Sequence, residues 1–81
     1  MKEVNVYIDR KPLKSPEKTT GAALYILGAV NPATHDLWRE EKGKKDDEPI
    51  ENNDKEVHLN EEWTHFYSAQ KDLNPGNGTI S

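Results

Sequence analysis

The side chains able to do chemistry are few and scattered. His35, His58 and His65 could ligate zinc, but no cysteine accompanies them and their spacing matches no ligand pattern. Surface imidazoles are the simpler account. The acidic runs at 40–41, 46–48 and 51–54 lack the alternating aspartates and central glycine of a calcium loop, so they read as solvated loops. Ser15, Ser68 and Ser81 sit in no nucleophile context, and no glycine-rich phosphate loop precedes the chain's apolar segment. No catalytic residue, metal or cofactor is expected, and the chain is not read as an enzyme. What remains is recognition chemistry. Tyr7, Trp38, His65 and Tyr67 fall at outward positions of alternating segments, and aromatics gathered on one surface anchor interfaces with large contact area at low entropic cost. The same residues could simply pair across strands and stiffen a thin sheet.

The elements that must position them follow from hydrophobic period. Residues 4–8, VNVYI, alternate with Val4, Val6 and Ile8 on one face and Asn5 and Tyr7 on the other, a half-buried strand. A turn at 9–11 returns the chain antiparallel over 11–14 with Leu13 inward. Pro12 has no N–H for a ladder, so that strand belongs at a sheet edge. Residues 15–18 read as a connector. The segment 19–30, TTGAALYILGAV, is the one stretch apolar and long enough for a core helix. Thr19 or Thr20 supplies the N-cap, Ala23, Leu24 and Leu27 the apolar stripe, and Gly28 a left-handed C-cap before Pro32 bars a restart.

After the helix, 36–41 reads as a strand with Leu37 in and Trp38 out, and 42–48 as a charged exposed loop. Ile50 is the candidate for burial in the polar tract that follows. Residues 56–59 form a short strand or turn with Val57 and Leu59 inward, and 64–69, THFYSA, a last strand with Phe66 inward and His65 and Tyr67 outward. The PGNG-containing end has almost no core-forming content and is expected to be mobile. One domain over 1–70 and a tail over 71–81 result. A chain that begins and ends in apolar strands commonly pairs them at a sheet centre, here with one helix packed across one face of a mixed sheet of four to five strands. The fold class is α+β.

Composition agrees with a small, polar-surfaced domain. Among 81 residues, 32% are hydrophobic and 32% charged, with a net charge of −4 that argues against nucleic-acid binding. Arg10, Lys11, Lys14 and Lys18 cluster early but read as a solvated hairpin edge. No segment approaches the roughly 20 apolar residues of a membrane span. MKEVNVYID lacks the apolar core of a secretory signal, so a cytoplasmic location is expected.

The segments VNVYIDRKPLK, TTGAALYILGAVNPATHDLWRE and HLNEEWTHFYSA, with the helix opening Thr20-Gly21-Ala22, the strand DLWRE, the step Asp47-Glu48-Pro49-Ile50 and His65-Phe66-Tyr67, resemble the bacterial multiubiquitin-domain family. The resemblance covers residues 3–69. It implies the ubiquitin-like β-grasp fold and a single-unit protein modifier. Its partners would be an activating enzyme, a conjugating enzyme and a JAB-type metallopeptidase of a bacterial ubiquitination-like pathway, a setting associated with antiphage defence. The reactive atom would be a C-terminal glycine carboxylate, adenylated and then passed on as a thioester. Glycine suits such a tail because it is narrow and conformationally free. Gly76 and Gly78 are the candidates. The family's Gly-Gly end is missing, so either a peptidase removes Thr79-Ile80-Ser81 to expose Gly78, or the tail is a linker. The alternative function is a non-conjugated scaffold acting by self-association or partner binding on the sheet face. A sulfur carrier of the same fold is a weaker third reading, against which the missing Gly-Gly end counts.

Overall fold

Alternation builds the first hairpin. β1 (Glu3–Ile8) buries Val4, Val6 and Ile8 and turns directly into β2 (Lys11–Pro16) through Asp9 and Arg10. Both turn residues have positive φ, 53° and 71°, the two-residue geometry whose twist suits a hairpin. Aspartate tolerates this backbone and here adds to it. The Asp9 amide donates to the Phe66 carbonyl at 3.0 Å, and its carboxylate accepts from the Ser68 amide at 2.8 Å and hydroxyl at 2.7 Å. The turn thereby fastens β1 to the last strand. The structure, a computed structural model, describes residues 2–43 and 46–71.

The remaining elements are β3 (Lys18–Thr20), α1 (Gly21–Leu27), β4 (His35–Arg39), β5 (Glu48–Ile50), β6 (Glu56–His58) and β7 (Thr64–Gln70). Five strands form one mixed sheet in the order β2-β1-β7-β4-β5, with β1 and β7 parallel at its centre and the other pairs antiparallel. This α+β domain has a β-grasp-like arrangement. β2 lies at the edge that Pro12 demands. Among the strands, three points differ from the sequence reading. Residues 15–18 are not a connector but the end of β2 and the start of β3. β6 pairs with β3 in a separate two-stranded ladder rather than joining the main sheet. The stretch 48–50 is a strand, and its Ile50 is buried opposite Leu37.

The core lies between the sheet's inner face and α1. Val6, Ile8, Leu24, Leu37, Leu59 and Phe66 are all but inaccessible, each burial favourable by about 1.5–3 kcal/mol. Leu13, Leu27 and Val57 pack against them half-buried. The helix is shorter than the apolar run, because Thr19 lies in β3 and Thr20 is the N-cap, its hydroxyl accepting from the Ala23 amide at 3.1 Å. Two further free amides find the neighbouring loop, Gly21 donating to the Lys55 carbonyl and Ala22 to that of Asn53. Ala23 is exposed, contrary to expectation. The buried face is Gly21, Leu24, Tyr25 and Gly28 instead, the i, i+3, i+4, i+7 set.

Glycine enters this face for space. A Cβ on Gly21 would stand 1.9 Å from the Glu51 carbonyl oxygen, and one on Gly28 would stand 2.4 Å from Ile8 Cγ2. Gly28 is therefore not the left-handed cap, its φ being −87°. That position falls to Ala29, at φ 55°, with the Val30 amide reaching back to the Tyr25 carbonyl and the Ala29 amide to that of Ile26. Tyr25 completes the docking. Its buried hydroxyl donates to the Ile50 carbonyl at 2.8 Å and accepts from the Leu37 amide at 2.9 Å.

Three substitutions check this account in urea unfolding. Ala29→Gly relieves a left-handed alanine at an exposed position and should stabilise by about 1 kcal/mol, whereas Gly28→Ala should destabilise by about 1–3 kcal/mol. Tyr25→Phe leaves a buried amide and carbonyl without their partner and should destabilise by about 1–3 kcal/mol.

Candidate partner-binding face

Register decides which side chains share the outer face. Tyr7 lies opposite both Pro12 and His65, while Trp38 lies opposite both Tyr67 and Pro49. Since His65 and Tyr67 are two apart on β7, these residues form one band that crosses all five strands of the main sheet. Tyr7, Trp38, His65 and Tyr67 are thus brought together on the face away from the helix, as the sequence anticipates. They are half-buried, except His65, which is exposed. The Tyr7 and His65 rings sit 4.8 Å apart between centroids.

A further aromatic joins them. Trp63 places its ring 4.7 Å from that of Tyr7 and remains 43% exposed. It does so from a backbone with φ 60°, a left-handed position that costs a bulky side chain about 1–3 kcal/mol. The surroundings hold it there. The Trp63 amide donates to the Asn5 carbonyl at 2.6 Å, and the Glu62 carboxylate accepts from the Asn5 backbone and side-chain amides at 2.7 and 3.2 Å. Trp63, His65 and Tyr67 stand at a spacing of two, but Trp63 precedes β7 in a left-handed turn, so strand period alone does not place it on this face.

A second missed residue is Asp47. Its carboxylate accepts from the Tyr67 hydroxyl and, at 3.0 Å, from the Glu41 amide, so part of the charged loop folds down onto the band. The Tyr67 bond, with help from the Glu41 amide, holds the Asp47 carboxyl below its ordinary 3.8, and the same bond raises the Tyr67 phenol above 10.0.

Beside this end of the band runs a groove whose walls include Glu40, Glu41, Glu61, Glu62, Trp63 and His65. The Glu40 amide donates to the His65 carbonyl at 2.8 Å, which fixes the spacing of the two walls.

The other imidazoles are occupied locally. His35 contacts the Thr34 hydroxyl at 2.8 Å and His58 the Glu56 carboxylate at 2.9 Å, a bond that holds the Glu56 carboxyl below its usual range. Among the described residues no group of three or more His, Cys, Asp or Glu side chains could hold a metal ion, and no helix is long and apolar enough to cross a membrane. The basic residues of the hairpin stay exposed, with the Lys11 ammonium donating to the Gly28 carbonyl at the helix end. Gln70 is in β7, and the Lys71 amide donates to the Thr34 carbonyl while its ammonium pairs with Asp36. Gly76 and Gly78 lie outside the described residues.

The chain is a small α+β domain of β-grasp-like arrangement with an aromatic band across its outer sheet face. No protein family, curated protein or solved structure matches the chain.

The Asp47–Tyr67 bond has a pH signature. Asp47 ionises more readily folded than unfolded, so its contribution is present above 3.8 and is lost as the pH falls through the depressed folded value. Tyr67 contributes below 10.0 and loses that contribution as the pH rises through its raised folded value. Asp47→Asn should therefore lower the urea midpoint near neutral pH, with the gap to the natural chain closing on acidification below 3.8. A gap of constant size at every pH contradicts the assignment.

Proposed function

We propose that this chain is a ubiquitin-like protein modifier of the bacterial multiubiquitin-domain kind, recognised through its outer sheet face and joined to targets through a glycine carboxylate. The observation that carries the reading is the aromatic band, which gathers Tyr7, Trp38, Trp63, His65 and Tyr67 on the sheet face opposite the helix. The β-grasp-like strand order and the resemblance over residues 3–69 support it. In the proposed cycle, a metallopeptidase removes Thr79-Ile80-Ser81. The Gly78 carboxylate then attacks the α-phosphate of ATP on an activating enzyme, pyrophosphate leaves, and a partner thiol takes the acyl group with release of AMP. Such chemistry belongs in the cytoplasm, where ATP and reduced thiols are available.

The test is intact-mass measurement after incubation with the cognate metallopeptidase, followed by the activating enzyme and ATP. Loss of the mass of Thr-Ile-Ser, then a thioester adduct that is absent from a Gly78→Ala chain, is expected. An unchanged mass removes trimming, and no adduct from a chain supplied already ending at Gly78 removes the modifier reading.

The band also favours a second reading, a non-conjugated scaffold that associates with itself or a partner through this face. Trp38→Ala tests this reading, because a scaffold should lose its association when the indole is removed. A strictly monomeric natural chain across concentrations in size-exclusion light scattering contradicts self-association.

A further inference from the structure

The groove beside the aromatic band has a chemistry of its own. Trp63 and His65 form its aromatic side, and Glu40, Glu41, Glu61 and Glu62 rim it. Two cations, Arg39 and Lys42, also line it, but the Arg39 guanidinium donates to the His58 carbonyl at 3.4 Å, toward β6. Among the described residues that line the groove, carboxylates therefore outnumber cations two to one on a chain that is itself acidic, so the local field favours a positive occupant. The indole is held open at the cost of a left-handed backbone at Trp63, and its stacking on Tyr7 fixes the ring in place without covering it. An aromatic face beside carboxylates suits a planar delocalised cation, which can stack on the ring while its N–H groups reach the acids.

We infer that this groove receives an arginine side chain from an exposed basic segment of a partner protein. The guanidinium lies against Trp63 and the Glu40 and Glu61 carboxylates accept from its edges. This rests on the reading of the outer face as a recognition surface and names the chemistry of the partner it selects. It does not depend on conjugation, so its test involves no modifying enzymes and can fail independently of adenylation.

The probe is the peptide Gly-Arg-Gly-Arg-Gly, titrated into the full chain at low salt and followed by NMR, with a norleucine-for-arginine peptide as its counterpart. The Trp63 indole N–H and the Thr64 and His65 amides should shift and saturate, and affinity should fall as salt is added. Glu40→Gln and Glu61→Gln should each weaken binding about two- to fivefold. Trp63→Gly, which suits a left-handed backbone and so preserves the fold, should weaken it by about two- to fivefold or more. Equal binding of the norleucine peptide overturns the inference. So does undiminished binding by a folded Trp63→Gly chain. Shifts that never saturate and follow all the acidic loops alike would reveal general ion attraction, and they overturn it as well.

Discussion

One buried hydroxyl governs how the two layers meet. Tyr25 is the only long polar side chain on the helix's inner face, and its oxygen both gives and takes a hydrogen bond between β4 and β5. A phenol in an apolar core is tolerated only when both capacities are used, so the helix has one depth and one rotation at which the arrangement is satisfied. Gly21 and Gly28 permit that depth by leaving room for a backbone carbonyl and for Ile8. The outer strands are thus held level with the central pair. The aromatic band on the reverse face depends on that levelness, because its members come from different strands and meet only if the register is kept.

Period made much of this visible in the sequence. The alternations at 4–8 and 64–69 identify β1 and β7, and an apolar run closed by Pro32 identifies the helix, because each buries one face consistently. The face shared by Tyr7, Trp38, His65 and Tyr67 follows once β1, β7 and β4 are put side by side. What stayed hidden has physical causes. β3, β5 and β6 are three residues each, too short for any period to register, and they owe their existence to partners distant in sequence. The glycine signal misled at Gly28, since close packing and left-handed backbone both select the same residue and sequence does not separate them. Asp47 looked like one more solvated charge in an acidic run. Only the folded chain sets a phenol above it.

The two faces of the sheet differ in their apolar residues. Aliphatic side chains and Phe66 face the helix, while the sheet's other aromatic rings, Tyr7, Trp38 and Tyr67, face outward in one layer. Rings on a stiff sheet carry few freely rotating bonds, so covering them costs little conformational entropy. Trp63 shows that this layer was not the cheapest arrangement of the chain. Its backbone conformation is unfavourable for an indole, and the contacts with Asn5 hold it in place.

The outermost strands constrain how another molecule can approach. β2 carries Pro12 and Pro16 among lysines, and β5 is three residues long with Pro49 at its middle. Neither border offers the unbroken row of amide donors that an added strand would need. Growth of the sheet by lateral addition, the route by which small β-rich domains zip into fibres, is blocked on both sides. The broad faces carry no such restriction, so on this sheet contact across the strands is favoured over contact alongside them.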